Sequence, residues 1–470
     1  MKNQKLINKI FFNLLSFSSF SILLFSFIKN KINEFEIIIL LFFLILTILF
    51  FLYKFFISNQ VSYFPINFFF NIYFLFVTLI FILNINYIYE NVYPQTYLIN
   101  NDFKIDYNKD VFELLLFNAL YILILTVFFF NLGFLISLKI LKNKTFFFLK
   151  EIDELRFLRV SFLLLLIKLF LLLINLKYEA SFSNLLNPIN LLLVSVSYYL
   201  IINYNNNKKI NFIIILFIFI ENFLLTAALY KNTILLILLI VIFYKVKKKF
   251  SFLLIIFLLI WVILGQGFKN SLRLNFNYNF FDNKIEKLDE IKNSIKNSKN
   301  FQPRSILLRS TEPITSLMRI KEFEIFENKI IKKDTMSILI YALIPRALYP
   351  NKPKQDFAVW YTEYFHKQYN TNLKSSSFTH NIFWPSDFYL NQRYYGSIFI
   401  SFIVGFIICF FVLFFSNFNS ANINFLLGIS VLSSLTLPDY NISMMLSPIV
   451  LQYLFLFLII RFLLFIDKKN

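Results

Sequence analysis

Long apolar runs recur along most of the 470-residue chain and limit its fold more than any other feature. Runs of about 20 apolar residues match a helix that crosses a bilayer, where only helices and closed barrels satisfy their backbone groups. The runs are continuous rather than alternating, which excludes a β-barrel. Only 15% of the residues are charged, and the mean hydropathy is +0.67. The sequence therefore predicts an all-α polytopic membrane protein.

The positions of these runs predict about twelve membrane spans. Basic residues cluster in alternate connections, for example at 139–159 and 245–249, and also near both ends of the chain. Because short cytoplasmic loops are enriched in lysine and arginine, both termini are expected in the cytoplasm. The predicted spans are 10–28, 36–57, 64–86, 111–138, 157–176, 188–203, 210–229, 232–244, 250–266, 396–416, 423–437 and 444–466.

The connection between the ninth and tenth spans is far longer than the others. It divides the chain into an N-terminal bundle at 1–266, a large extracytoplasmic loop at 267–395 and a C-terminal bundle at 396–470. The loop holds 20 basic and 12 acidic residues, with six of the nine arginines of the chain. AT-rich codons inflate lysine but not arginine, so these arginines require a functional explanation. The pattern at 303–331 predicts a helix, with Pro313 in its first turn.

The inventory of reactive residues excludes several kinds of site. Cys409 is the only cysteine, so the sequence predicts neither a disulfide framework nor a cysteine-based metal site. With two histidines, no clustered carboxylates and no glycine-rich phosphate loop, neither a metal nor another cofactor is expected. The net charge of +20 suggests anionic partners, and lipid head groups are the first candidate. Nucleic acid does not suit a chain so embedded in a membrane.

The stretch LIPRALYPNKP, at 343–353, places Arg346 and Lys352 among three prolines. Proline fixes its own φ and restricts the preceding residue, so this segment is predicted to be a stiff turn that aims both side chains. An arginine fork binds phosphate oxygens in pairs, and lysine adds a point charge. A diphosphate clamp and simple contact with lipid phosphates are equally supported by this pattern.

Three more arginines of the loop, Arg304, Arg309 and Arg319, form a candidate basic face toward an anionic substrate. Arg309 and Glu312 are three residues apart, so an ion pair on one helix is the alternative for that arginine. Lys231 lies in a short outward turn, where it is either a further anion contact or a flanking anchor. Aromatic residues of the loop suit a membrane–water boundary and, less often, stacking on sugar rings.

The stretch HNIFWPSDFYLNQRYYG, at 380–396, runs directly into the tenth span. His380 and Asp387 are the candidate general bases, because either can take a proton from a hydroxyl. Asn391 is a candidate partner for a hydroxyl and Arg393 for an anion. Gly396 is one of only six glycines, which predicts a close backbone approach. The alternative for each residue is a polar cap on an interfacial helix.

Two of these stretches resemble signatures of the bacterial oligosaccharide repeat-unit polymerases, the O-antigen polymerase (Wzy-like) family. The first stretch fits a pattern I-P-R-x-L-x-P-x-K-P, and the second fits an element with an acidic residue, an aromatic residue, Asn and Gly before a span. In this chain Lys231 stands where the family often has arginine, and NQRYYG is longer than the usual element. The matching residues are Ile344, Pro345, Arg346, Leu348, Pro350, Lys352, Pro353, Asp387, Tyr389, Asn391 and Gly396.

The resemblance implies a metal-independent glycosyltransferase of the bacterial inner membrane. Such enzymes join polyprenyl-diphosphate-linked oligosaccharides at the outer face, for O-antigen, capsule or exopolysaccharide, and act beside a flippase and a chain-length regulator. Arg346 and Lys352 would then bind the donor diphosphate, and Asp387 or His380 would deprotonate the acceptor. The alternatives are an O-antigen ligase-like enzyme and a lipid-linked oligosaccharide flippase or other transporter.

Overall fold

The structure is a computed structural model in which six helices longer than ten residues are described. No strand occurs in the described part of the chain. The helices are α1 (Glu34–Ile57), α2 (Ile66–Leu83), α3 (Lys109–Leu141), α4 (Glu312–Phe326), α5 (Trp384–Tyr395) and α6 (Ser401–Ser416). The described residues are 34–57, 66–92, 109–141, 162–163, 166, 311–326, 331–336, 341, 349, 360–361 and 382–416.

By length and composition, three helical segments are apolar enough to cross a membrane: Glu34–Leu52, Lys109–Leu141 and Trp384–Leu413, the last of which contains a backbone break at Gln392–Arg393. A fourth apolar helix, Phe70–Leu83, is shorter. These helices overlap four of the predicted spans. Unbroken runs of Phe, Ile and Leu favour lipid, where a helix satisfies the backbone N–H and C=O groups within the segment itself. The count of twelve spans and the single large loop stay predictions. The predicted spans outside the described residues are 10–28, 188–203, 210–229, 232–244, 250–266, 423–437 and 444–466, together with nearly all of 157–176.

The 33-residue helix α3 lies at the centre of the described bundle, and most of its residues are buried. It packs against α1, α2, α4, α5 and α6. The outer helix α1 shows the opposite pattern, since Phe35, Ile38, Phe42 and Leu49 are exposed along one face. Their spacing is that of a single helical stripe, and a large apolar stripe of this kind suits contact with lipid rather than water.

Contacts between side chains give the relative directions of the first helices. Lys109, at the start of α3, forms an ion pair with Glu34 at the start of α1, and further along, the rings of Phe51 and Phe128 are 6.2 Å apart. Helices α1 and α3 are therefore parallel. The helix between them is antiparallel to both, because Asn71 near the start of α2 contacts Asn131 near the end of α3.

Buried amides join α2 to α3 within the apolar bundle. Asn71 Nδ2 donates to Asn131 Oδ1 at 2.8 Å, and Asn131 Nδ2 donates back to Asn71 Oδ1 at 3.0 Å. Asn71 also donates to Asn67 Oδ1 at 2.7 Å, and Asn131 donates to the carbonyl of Val127 at 2.8 Å. Polar pairs of this kind hold transmembrane helices together, since lipid offers the amides no other partner.

Two glycines bring α3 and α6 into direct backbone contact. A Cβ atom at Gly133 would lie 2.9 Å from the carbonyl carbon of Phe402 and still closer to its oxygen, and one at Gly405 would meet Phe130 in the same way. Ser137, one turn after Gly133, lies beside Cys409, one turn after Gly405, so α3 and α6 cross in parallel. Small residues at such a crossing let two helices approach closely in a membrane, where packing drives association.

Helix α5 and the segment after it form a hairpin rather than one straight helix. The backbone breaks at Gln392 (φ −143°, ψ 27°) and Arg393 (φ 56°, ψ −136°), and a π-helical turn at Gly396–Ile400 leads into α6. A Cβ atom at Gly396 would lie 3.0 Å from the carbonyl carbon of Phe388. The close backbone approach predicted at Gly396 is therefore confirmed.

The hairpin inserts α5 into the apolar bundle. The ring of Tyr394 is 5.7 Å from that of Tyr121, whereas Trp384, at the other end of α5, is 5.7 Å from Phe130. Helix α5 is therefore antiparallel to α3 and reaches nine residues along it. Trp384 is fully buried and also contacts Phe70, so it is a core residue rather than a boundary or sugar-stacking one.

Helix α4 lies beside α5 and is parallel to it. Ser316 and Ser386 hydroxyls are 2.7 Å apart, and further along both helices Lys321 Nζ is 3.0 Å from the Tyr389 hydroxyl. Pro313 is the second residue of this helix. In the first turn a backbone N–H group has no partner within the helix, so a proline there costs no hydrogen bond. The helix lies within the range 303–331, so the sequence-based prediction of a helix there is confirmed for 312–326.

Candidate functional site

Helices α4 and α5 pack against each other and carry a set of six ionisable side chains, which we call the charged layer. Five of them have side chains that are at least nine-tenths buried or belong to buried residues, and the sixth, Arg393, has a side chain that is 37% exposed. Burying charges is costly unless they pair with one another or accept hydrogen bonds. The members of the charged layer are Arg319, Lys321, Glu322, Glu324, Asp387 and Arg393.

Glu324 has one oxygen fully engaged by neighbouring groups. Its Oε2 accepts a hydrogen bond from the Tyr389 hydroxyl at 2.6 Å and another from Lys321 Nζ at 2.8 Å. Lys321 also lies 5.4 Å from the ring centroids of Tyr389 and Tyr394, within range of cation–π attraction. The lysine, the tyrosine and the carboxylate therefore fix one another in place.

The other oxygen of Glu324 faces Arg393. Glu324 Oε1 and Arg393 Nε are 3.7 Å apart, which is an ion pair but not a hydrogen bond. Both atoms are buried, and neither has a hydrogen-bond partner among the residues that the structure describes. A buried polar atom without a hydrogen-bond partner costs about 1–3 kcal/mol, so this pair is a local defect in the layer.

The backbone of Arg393 is also strained. Its φ of 56° and ψ of −136° lie in a region that glycine adopts easily and other residues adopt at a cost of about 1–3 kcal/mol. It is the one non-glycine residue with positive φ in the described ranges. The hairpin thus holds an arginine where glycine would fit better, which directs the guanidinium toward Glu324.

Asp387 is fully buried in the first turn of α5 and contacts a neighbouring non-helical segment, 331–336. The Thr335 hydroxyl donates to Asp387 Oδ1 at 2.5 Å, and Asn391 Nδ2 donates to the Thr335 oxygen at 2.6 Å. The Asn391 oxygen in turn accepts the backbone N–H groups of Thr335 and Met336, at 2.9 and 3.2 Å. Asp387 and Asn391 therefore fasten this segment to α5.

A second buried hydroxyl borders the charged layer at Arg319. Tyr361 is almost completely buried, and its hydroxyl donates to the Ser316 carbonyl at 3.5 Å. Burial raises the pKa of Tyr361 above its ordinary value, while the positive charge of Arg319 acts in the opposite direction. Arg319 is thus close enough to act on the phenol, which stays a neutral donor.

Four of the ten predicted site residues lie in the described part of the chain, on two helices that pack against each other. Arg319 is on α4, and Asp387, Asn391 and Arg393 are on α5. The sequence patterns had grouped them in two separate stretches, more than 60 residues apart. The other six predicted residues lie outside the described residues: His380, Arg346, Lys352, Arg304, Arg309 and Lys231.

Sequence reasoning missed Lys321, Glu324 and Thr335. The spacing of Lys321 and Glu324, three residues apart in a predicted helix, is a signal for a pair on one helix face. It cannot show that Tyr389, 65 residues beyond Glu324, completes the group. Within the described residues, no group of three or more His, Cys, Asp or Glu side chains is placed to hold a metal ion.

Comparisons of the chain with protein-family models, with curated proteins and with solved structures give no match. A function can therefore be inferred only from the residues themselves, from their arrangement in the bundle and from the resemblance of the two short stretches.

Proposed function

We propose that this chain is an integral-membrane polysaccharide polymerase that joins polyprenyl-diphosphate-linked oligosaccharide units at the outer face of the bacterial cytoplasmic membrane. One observation carries the proposal: four residues selected from two separate stretches of sequence lie on α4 and α5, two helices that pack against each other around the buried group of Lys321, Glu324 and Tyr389. Ionisable side chains inside a helical membrane bundle are costly, and they mark substrate sites more often than structural ones.

The chemistry requires a site for an anionic leaving group next to a site for a hydroxyl. In the reaction, an acceptor hydroxyl oxygen bonds to the anomeric carbon of the donor sugar, and the bond from that carbon to the lipid diphosphate breaks. Negative charge grows on the diphosphate, so fixed arginines nearby stabilise the transition state. Arg393 is the partly exposed cation of the described layer, and Arg346 and Lys352 are the sequence-based candidates for the same task.

A direct test uses the purified protein in lipid or detergent with a lipid-diphosphate-linked repeat unit as its substrate. We expect a ladder of products that differ by one repeat unit, formed without added nucleotide or metal. A single transfer to a different lipid acceptor would instead identify a ligase. The test should be repeated with several different repeat-unit structures. If folded protein leaves all of these substrates at one unit, the polymerase proposal is wrong.

A transporter of lipid-linked sugars is the second candidate, and the break at Gln392–Arg393 favours it. Broken helices inside a bundle commonly form the substrate sites of transporters, where half-helix ends contact the substrate. Vesicles that contain the protein and a fluorescent lipid-linked oligosaccharide separate the two functions. Movement of the label across the bilayer without any change in sugar length would support transport and contradict polymerisation.

A further inference from the structure

We infer that Glu324 is the general base that takes the proton from the acceptor hydroxyl, with Arg393 beside it as a contact for the donor diphosphate. This inference deepens the proposed function and depends on it. It assigns a role to a residue outside both sequence motifs, and it differs from the sequence-based choice of Asp387 or His380.

The geometry of the carboxylate is the first reason. Oε2 accepts two hydrogen bonds, from Lys321 at 2.8 Å and from Tyr389 at 2.6 Å, so the plane of the carboxylate is fixed. Oε1 is left as an acceptor with no hydrogen-bond partner among the described residues, although it is buried. A base needs such an oxygen, held in a fixed direction and able to receive a proton.

The position of Arg393 is the second reason. Its side chain is 37% exposed, whereas that of Glu324 is only 7% exposed, so a ligand that approaches the layer meets the guanidinium first. Arg393 covers Oε1 without hydrogen bonding to it through Nε. When phosphate oxygens engage the guanidinium, the arginine side chain has to turn outward, which uncovers Oε1 next to the bound donor.

Asp387 is a poorer base in this arrangement. It is fully buried, and its Oδ1 accepts a hydrogen bond from Thr335 at 2.5 Å. Asn391 is bonded to the backbone of the same residue and to Thr335. These contacts fasten 331–336 to α5, and an acceptor could reach Asp387 only after they break. Asp387 is therefore a positioning residue for the hairpin that carries Arg393.

The proposed step balances in protons and electrons. The acceptor O–H proton moves to Glu324 Oε1, and the acceptor oxygen forms a bond to the anomeric carbon of the donor. The bond between that carbon and the diphosphate oxygen breaks, and the diphosphate leaves with the electron pair. The proton on Glu324 is then lost to water before the next cycle.

The test compares two acceptors in the variant Glu324→Gln, which has the same size but cannot take the proton. We expect transfer to the sugar hydroxyl to fall by about 10²- to 10⁴-fold, the usual contribution of a general base. Azide is an anion that needs no base, so transfer to azide, measured as sugar azide, should stay within about twofold of wild type. Glu90→Gln, at an exposed glutamate, is the matched control and should change neither rate.

Several results would overturn the inference. Normal hydroxyl transfer by Glu324→Gln would do so, and so would an equal loss of transfer to both acceptors by folded protein. If Glu324→Gln does not fold, Glu324→Asp keeps the charge but withdraws it by one methylene. An unchanged ratio of hydroxyl to azide transfer in that variant would contradict the assignment, and a lower ratio would support it. If wild-type protein transfers to neither acceptor, the proposed function itself fails, and the inference with it.

Discussion

The crossing of α3 and α6 allows a quantitative prediction from two glycines. In Gly133→Ala the new Cβ lies 2.9 Å from the carbonyl carbon of Phe402, whereas ordinary contact begins at 3.4 Å. The helices must therefore separate by at least about 0.5 Å, which forfeits roughly a quarter of the dispersion energy of atoms that were in contact. Overpacking of this kind costs about 1–3 kcal/mol. Gly405→Ala makes the equivalent demand on Phe130.

Cys409 supplies the assay, because it is the only cysteine of the chain and is fully buried one turn after Gly405. A thiol-reactive dye labels it only when the crossing opens. Each 1.4 kcal/mol is a factor of ten in the opened population, so either alanine variant should label about 5- to 150-fold faster. Ile136→Phe, which adds volume on a more exposed part of α3, should label at close to the wild-type rate.

The double variant tests the geometry itself. Gly133→Ala and Gly405→Ala require the same helix separation, so the second change should cost much less than the first. The combined cost in free energy of opening should therefore fall well below the sum of the two single costs. Equal labelling rates for Gly133→Ala and wild type, or strict additivity in the double variant, would refute the close crossing.

Three further predictions concern the polar groups. Asn71→Leu leaves the Asn131 amide without its partner and should destabilise the bundle by about 1–2 kcal/mol, measured by the same labelling; no change would show that the amide pair is not formed. Arg393→Gly and Arg393→Ala both leave the Glu324 charge without its partner and should both lose polymer formation, but only glycine relieves the backbone strain, so Arg393→Gly should denature at the higher temperature; equal denaturation temperatures would contradict the strained backbone. Arg346→Ala should abolish long polymer and leave the single-unit product, and polymer of normal length at normal expression would exclude the diphosphate clamp.

The apolar helices were predictable because their cause is local. A run such as that of α3 has the length and composition of a span wherever it occurs, and its limits differ from the prediction by only two or three residues. The close approach at Gly396 was predictable for a similar reason, since glycine is rare in this chain and rarity makes its position informative. Neither inference required knowledge of the partner helix.

The charged layer was not predictable because its causes are not local. Five charged residues make α4 look like a surface helix, and its burial is tolerable only after Lys321 and Glu324 meet Tyr389. The break at Gln392–Arg393 contains neither proline nor glycine, so its sequence carries no signal for a turn. The strain at Arg393 exists because contacts on both sides of the hairpin outweigh the backbone φ/ψ preference of a non-glycine residue.

The charge balance of the layer indicates that donor binding and proton transfer depend on different residues in the proposed reaction. Three cations, Arg319, Lys321 and Arg393, stand against three anions, Glu322, Glu324 and Asp387, so the layer has no net formal charge. A neutral layer holds a diphosphate poorly, because a phosphate oxygen that contacts Arg393 also approaches the Glu324 carboxylate beside it. Tight donor binding then requires the other basic residues of the proposed site, Arg346 and Lys352 first. On this division, loss of Arg346 weakens donor binding, whereas loss of the Glu324 carboxylate slows transfer to a hydroxyl and leaves donor binding intact.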